Sequence, residues 1–175
     1  MCKSQGGAMS REAWYALYTR HQHERNAAQV LLQKGFETFL PLYQSVHQWK
    51  DRKKEVWLPL FPSYVFLSGD LNRSLEVLKT PGVIGFVANE GRPATIPSEQ
   101  IYAVRQLALR SRTEPHPFLQ AGDRVRVKAG SLSGLEGILV RKKNQCRLVI
   151  SVDMLGKSVA TEIDVALIER IRRAA

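Results

Sequence analysis

Cysteine is scarce in this sequence of 175 residues, since Cys2 and Cys146 are the two present. Two cysteines cannot form the disulfide framework of a small secreted domain, and these two lack the paired spacing of a zinc site. The simplest interpretation of Cys146 is a reduced thiol within a strand. A cytoplasmic location is therefore expected.

Long apolar runs are also missing. The longest stretch without charge, from Val56 to Gly69, contains two prolines and is shorter than the about 20 apolar residues that a membrane-spanning helix needs. Residues 1–10 are polar, contain Lys3 and lack the apolar core of a signal peptide. We expect residues 1–12 to form a disordered tail and the protein not to associate with a membrane.

The residue patterns of common catalytic sites are absent as well. No HExxH or CxxC motif, no standard glycine-rich phosphate loop and no GxSxG turn occurs. Among the four histidines, His21 and His23 are close in sequence, but a zinc site needs further ligands nearby in space. The sequence thus predicts no catalytic residue, no metal site and no cofactor, and a protein that is not an enzyme.

Positive charge, in contrast, is abundant. The chain has 26 lysines and arginines against 16 acidic residues, which gives a net charge of +10 and a pI of about 9.9. The excess is shared evenly between the residues before and after position 119. Such a balance favours a polyanionic partner, because contacts with phosphate release counterions. Charge alone fits a nucleic-acid binder, a ribosome-associated protein or a binder of anionic membranes.

The chain divides at Thr113-Glu-Pro-His-Pro-Phe118, where two closely spaced prolines stop any helix. Before this segment, strand patterns alternate with helix patterns at residues 24–34, 70–78 and 98–108. After it the pattern is almost wholly β, as in the alternation of residues 124–128. We predict an α+β fold: a domain at 13–110 with an antiparallel sheet and flanking helices, a linker at 111–119, and a small five-stranded β-barrel at 120–175.

Aromatic residues concentrate on two predicted strands. The first carries Trp14, Tyr15 and Tyr18, and the second is preceded by Phe61 and carries Tyr64 and Phe66. Any one of them is more often a core residue than a contact residue. Together they exceed what one core face of a small domain needs, so they predict an exposed apolar patch that binds a partner.

The segment Trp49–Glu55 holds several basic residues behind one aromatic side chain. Two interpretations remain open for it. It is either the solvated tip of a hairpin or an electrostatic contact with nucleic acid.

These motifs, taken in order, resemble a known family. Pro59-Leu-Phe-Pro-Ser-Tyr-Val-Phe66 and Pro81-Gly-Val-Ile-Gly-Phe86 are similar to the N-terminal (NGN) domain of NusG-type transcription factors. Gly122-Asp-Arg-Val-Arg-Val127 and Ser151-Val-Asp-Met-Leu-Gly-Lys157 are similar to the family's KOW barrel. The resemblance covers about residues 13 to 172. The segments 49–54 and 91–97 are also similar to the UpxY antiterminators, and Trp14-Tyr-Ala-Leu-Tyr18 and Pro59-Leu-Phe-Pro62 are similar to RfaH, both of which are specialised paralogues.

The resemblance implies a transcription elongation and antitermination factor. Its NGN domain would bind the clamp helices of RNA polymerase, bridge to the opposite pincer and suppress pausing. The implied polymerase-binding residues are Trp14, Tyr15, Tyr18, Phe61, Tyr64, Phe66, Asn72, Arg73 and Ser74. The implied contacts with non-template DNA are Arg20, His21 and Lys34.

The resemblance gives the KOW domain a recruiting role. Met154, Leu155, Gly156 and Lys157 match the loop with which the family binds either a ribosomal small-subunit protein or the terminator Rho. A monomer is expected, with a KOW domain that is always a barrel and not a helical hairpin. The alternative function is that of a ribosome-associated or free RNA-binding KOW protein.

Overall fold

The structure is a computed structural model that describes residues 13–48, 53–110, 113–116, 122–142 and 145–171. The predicted tail at 1–12 and residues 49–52 of the basic segment lie outside the described residues. So do positions 111–112 and 117–119 of the predicted linker. No described helix is long and apolar enough to cross a membrane.

The N-terminal part mixes strands and helices, as the sequence predicts. In chain order its elements are β1 (Trp14–Thr19), α1 (Glu24–Gln33), β2 (Glu37–Phe39), β3 (Leu42–Gln48), β4 (Lys53–Pro59), β5 (Tyr64–Ser68), α2 (Ser74–Leu78), β6 (Val83–Phe86), β7 (Ala88–Asn89), β8 (Arg92–Pro93), β9 (Thr95–Ile96) and α3 (Ser98–Ala108). A 3₁₀ turn at Leu71–Arg73 precedes α2, and Asp70 caps it by accepting the Asn72 N–H.

An antiparallel sheet of order β2-β5-β1-β6, with β9 added on β1, is the centre of this part. Alternation along β1 sends Leu17 to one face of the sheet and Ala16 to the other. The Leu17 face is covered by α1, whose Leu31 packs with Leu17 and Leu67 in one buried cluster. This arrangement confirms the predicted α+β layering of a sheet with helices on it.

The Ala16 face carries the larger core. Its buried side chains include Trp14, Ala16 and Phe66, together with Leu60 and Phe61 from the turn after β4. The hairpin of β3 and β4 leads into that turn, because Leu42 pairs with Pro59 at its base. The end of this face near Tyr18 is exposed to solvent.

The C-terminal part is built from strands. They are β10 (Glu114–His116), β11 (Asp123–Val127), β12 (Glu136–Lys142), β13 (Gln145–Val152), β14 (Lys157–Glu162) and β15 (Ile168–Arg170), in the order β10-β14-β13-β12-β11-β15. The predicted strands β11 to β15 all form. The predicted linker differs from expectation, because residues 114–116 pair with β14 as a sixth strand.

Helix α3 joins the two parts. It packs against β13 and β14, and one continuous hydrophobic cluster runs from Trp14 through Val104 and Leu107 to Leu148 and Val159. Two hydrogen bonds flank the contact, from Gln100 Nε2 to Asp153 Oδ2 at 3.2 Å and from Arg110 Nη1 to Ser131 Oγ at 2.8 Å. In this conformation the linker does not keep the two parts separate.

Candidate functional site

The open end of the Ala16 face is formed by two tyrosines on neighbouring strands. Tyr18 of β1 and Tyr64 of β5 are paired in register, and their ring centroids lie 5.5 Å apart at an angle of 57°. The Tyr18 side chain is 44% exposed and Tyr64 is partly buried against the core below it. The pair thus presents aromatic surface to solvent while resting on the hydrophobic cluster.

Strand β6 completes this surface on the other side of Tyr18. Gly85 pairs with Tyr18, and a Cβ added at Gly85 would meet no atom within 4 Å. The pairing then skips Ile84, so that Thr19 is opposite Val83. This is the pattern of a β-bulge. Ile84 is 56% exposed. Tyr18, Tyr64 and Gly85 therefore form an apolar shelf with an open floor, which we call the tyrosine shelf, and the exposed Ile84 adjoins it in sequence.

Four of the aromatics that were expected to be exposed are in the core. Phe61 and Phe66 are 1% and 0% exposed, and their rings meet edge to face at 5.4 Å. Trp14 is buried on the same face. Tyr15 is buried on the opposite face against Phe86, at 6.0 Å. The exposed part of the predicted apolar patch is therefore limited to Tyr18 and Tyr64, because α3 and the turn after β4 cover the rest of the Ala16 face.

The Tyr64 phenol has an altered proton affinity. Partial burial raises the pKa of Tyr64 above its ordinary value, and the neighbouring Tyr18 phenol raises it further. Both causes disfavour the phenolate. The Tyr64 phenol therefore stays uncharged at neutral pH, which suits contact with an apolar partner surface.

The residues predicted to face the second pincer, Asn72, Arg73 and Ser74, have structural contacts. The Asn72 side chain bonds Asp70, and the Arg73 guanidinium lies 4.2 Å from the Phe36 ring centroid. Arg73 Nη2 also donates to Glu76 Oε2 at 2.8 Å and to the Lys34 carbonyl at 2.9 Å. The Arg73 hydrogen bond is the main cause of a lowered Glu76 pKa.

Ser74, the last member of that group, begins α2 and is half-buried. None of the described contacts of the group points toward the tyrosine shelf. Binding of Arg73 to a partner would therefore compete with the bonds that fix α2 to the end of α1.

The predicted DNA contacts do not form one patch. Arg20 and His21 are exposed and follow directly after the shelf, where Arg20 N–H donates to the Gly82 carbonyl at 2.8 Å. Lys34 lies at the other end of α1, a helix of 10 residues and hence about 15 Å long. Lys34 Nζ donates to the Glu76 carbonyl and to Thr80 Oγ1, each at 2.8 Å. Lys34 thus ties α1 to α2.

The predicted recruitment loop of the C-terminal part is partly covered. Leu155 is buried in the cluster shared with α3, and Asp153 accepts the hydrogen bond from Gln100 of α3. Gly156 has a left-handed backbone with φ +55, and it and Lys157 are exposed. Met154 lies in the short 3₁₀ turn; its side chain is outside the described set. Leu155 is therefore not accessible to a partner in this conformation.

Gly85 of the shelf and the neighbouring Ile84 were not predicted from sequence. A glycine inside a strand pattern, as in Val83-Ile-Gly-Phe86, commonly marks a bulge or a close approach by another molecule. That signal was available and pointed to this position. Among the described residues, no group of three or more His, Cys, Asp or Glu side chains is placed to hold a metal ion.

Comparison with known proteins identifies the family. The sequence model described as "Transcription termination factor nusG" matches residues 12–105, which is more than half of the chain. The chain belongs to the NusG family. It is 28% identical over 190 residues to the transcription termination/antitermination protein NusG of Borreliella burgdorferi, covering 93% of this chain and all (100%) of that relative.

Other members of the NusG family agree with this assignment. The transcription termination/antitermination protein NusG of Thermus thermophilus is 27% identical over 173 residues, covering 86% of this chain and 94% of its own. A solved structure described as "Domain interaction in Thermotoga maritima NusG" superimposes with a TM-score of 0.56 at 19% identity. It covers 93% of this chain and 98% of that one, and it supports the fold.

Proposed function

We propose that this protein is a transcription termination/antitermination factor that binds RNA polymerase through the tyrosine shelf. The relatives in the NusG family bear that functional name. The observation that carries the proposal for the site is an uncharged aromatic surface, Tyr18 and Tyr64, beside the open floor at Gly85. Partly exposed aromatic side chains on a packed base are typical anchors of protein interfaces.

The partner surface in this proposal is the pair of clamp helices of the polymerase. The open floor at Gly85 leaves room for a partner side chain beside Tyr18. Phe61 and Phe66 contribute as the rigid base under Tyr64 and do not contact the partner directly. A bridge to the opposite pincer and the resulting suppression of pausing belong to the same proposal.

Arg20 and His21 extend the proposed interface toward nucleic acid. They follow the shelf directly and are exposed, so a polymerase bound there would bring non-template DNA close to them. Arginine suits phosphate contacts, which fix position and give salt-dependent binding. Lys34 is not included, because its ammonium group already bonds Glu76 and Thr80.

Recruitment by the C-terminal part requires a change of state in this proposal. Leu155 becomes available to a ribosomal protein or to Rho only after α3 and the Asp153 turn separate. Gly156 and Lys157 are the accessible parts of the loop before that step. The similarity to specialised antitermination paralogues stays a prediction.

The alternative of a free RNA-binding protein finds less support. Three arginines of the C-terminal sheet already have carboxylate partners: Arg126 with Glu136, Arg147 with Glu114, and Arg170 with Asp123. This pairing lowers the charge available to phosphate. The alternative predicts salt-sensitive RNA binding by residues 120–175 that does not depend on the tyrosine shelf.

The test of the proposal measures affinity for core RNA polymerase. Tyr18→Ala should weaken binding about 30-fold, the effect of removing one interface hot spot of about 2 kcal/mol. Tyr102→Ala is the matched control, since Tyr102 is a 56% exposed tyrosine on α3, away from the shelf. Equal binding by Tyr18→Ala, Tyr64→Ala and the control would exclude the tyrosine shelf as the polymerase site.

A further inference from the structure

A buried carboxylate lies directly behind the tyrosine shelf. Glu24, the first residue of α1, is 4% exposed, and its Oε1 accepts the backbone N–H of Ser63 at 2.7 Å. Burial of a carboxylate is unfavourable unless hydrogen bonds compensate for the lost hydration. The Ser63 amide supplies such a bond, and it connects two segments that are far apart in sequence.

Ser63 has a backbone conformation that needs support. Its φ is +67, in the left-handed region that residues other than glycine, asparagine and aspartate rarely adopt. Hydrogen bonds at both its N–H and its carbonyl hold Ser63 in this conformation. Glu24 accepts its N–H, and its carbonyl accepts the Thr19 N–H at 2.8 Å.

The neighbours of these bonded residues are the two shelf tyrosines. Tyr64 follows Ser63, and Tyr18 precedes Thr19. A change in the Ser63 backbone would therefore rotate Tyr64 and shift β5 relative to Tyr18. Glu24 is placed to prevent that movement from outside the sheet.

Glu24 does not act as an ordinary helix cap. The N-cap of α1 is His23, which makes no side-chain capping bond. The hydrogen bond of Glu24 instead crosses to Ser63 in the Phe61–Tyr64 turn. The favourable interaction of Glu24 with the helix N-terminus requires only its negative charge. The hydrogen bond to Ser63 also requires the acceptor oxygen to lie at a fixed distance from the helix.

We propose that Glu24 is a positioning residue for the polymerase-binding surface: its carboxylate holds left-handed Ser63 and thereby sets the Tyr18–Tyr64 geometry. This inference rests on the proposed function of the shelf. It adds a residue that does not touch the partner and that acts through one backbone hydrogen bond.

Three substitutions of Glu24 separate the effect of the acceptor atom's position from the effect of its charge. Glu24→Gln keeps an acceptor at the same reach, Glu24→Asp keeps the charge but is one methylene shorter, and Glu24→Ala removes both. Affinity for core polymerase should fall about tenfold for the Ala and Asp variants, the effect of one lost hydrogen bond, and stay within about twofold for the Gln variant. Glu37→Ala, an exposed acid on β2, is the control.

Amide hydrogen exchange at Ser63, followed by NMR, is the second readout. It should accelerate in the Asp and Ala variants and stay slow in the Gln variant. A general loss of stability would instead accelerate exchange throughout β1 and β5. If Glu24→Ala does not fold, the comparison of the Asp and Gln variants gives the same test.

The outcomes distinguish this inference from the proposed function. Normal binding by Glu24→Asp and Glu24→Ala, together with weak binding by Tyr18→Ala, would overturn the positioning role and leave the shelf intact. Equal losses of polymerase affinity in the Gln and Asp variants would also overturn the positioning role, because the length of the side chain would then matter no more than its charge. Normal binding by every variant, Tyr18→Ala included, would overturn the proposed function itself.

Discussion

Arg105 connects α3 to the sheet through polar and ring contacts, and its removal should loosen the helix. Its guanidinium carbon lies 5.3 Å from the Trp14 ring centroid and 5.0 Å from that of Phe39. Arg105 Nη2 also bonds Glu37 Oε1 at 3.1 Å. Cation–π contacts at exposed sites contribute about 0.5–1 kcal/mol each and exposed ion pairs about 0.2–1 kcal/mol. Arg105→Ala should therefore cost about 1–3 kcal/mol.

Urea denaturation and thermal melting measure this cost. Each kcal/mol lowers the melting temperature of a protein of this size by about 2–4 °C. Glu37→Ala is the partial control, because it removes the ion pair and keeps both ring contacts, so it should cost less than about 1 kcal/mol. Arg105→Lys should fall between the two, since lysine keeps the charge but lacks the planar group that stacks on rings.

The comparison of Arg105→Ala with Glu37→Ala tests whether the ring contacts of Arg105 contribute to stability. If Arg105→Ala is no more destabilising than Glu37→Ala, the contacts with Trp14 and Phe39 contribute nothing. The attachment of α3 would then depend on its apolar residues alone, such as Val104 and Leu107.

Two further predictions concern single positions. The raised pKa of Tyr64 means that the folded state keeps the phenol proton to a higher pH than the unfolded chain does. The protonated phenol therefore contributes fully to stability below the ordinary pKa of about 10. This contribution is lost as the pH rises through the pKa of the folded state. Urea midpoints between about pH 9 and 12 should fall more steeply for the wild type than for Tyr64→Phe; parallel curves would contradict this. Gly137→Ala would place a Cβ 2.6 Å from the Val149 carbonyl oxygen, and it should destabilise the protein by about 1–3 kcal/mol in the same assay. An unchanged midpoint would show that β12 and β13 have room to separate.

Much of the fold was predictable because its signals are local. The helix spacing of Ala27 and Leu31, with Gly35 after the last turn, predicts α1 within a residue or two. The alternation at residues 124–128 predicts β11 in the same way. Strand content after residue 120 and mixed content before it are local properties of the same kind.

The exposure of the aromatics was not predictable, because it depends on what packs over the sheet. Alternation correctly places Trp14 and Tyr18 on one face, but only the position of α3 decides that Trp14 is covered and Tyr18 is not. The same holds for Phe61. It precedes β5 and is buried in the turn after β4, where Ser63 has a left-handed backbone that its residue type does not signal.

The contacts of two predicted binding cations illustrate the same limit. In sequence, Lys34 and Arg73 look like ordinary surface charges. Lys34 nevertheless donates to the Glu76 carbonyl and Arg73 donates to the Lys34 carbonyl, each across about 40 positions of the chain. The strand at 114–116 also depends on a distant partner, β14. Such pairings are set by the tertiary fold, and a pattern within either segment does not report them.

The most direct test of the tyrosine shelf is a footprint of the bound complex. Hydrogen exchange and side-chain oxidation of the full-length protein, measured with and without core RNA polymerase, report which residues the partner covers. Tyr18, Tyr64 and Ile84 should become protected, while Tyr102 and Trp57, which are also partly or largely exposed, should not change. Protection of the C-terminal sheet with the shelf left accessible would contradict the account.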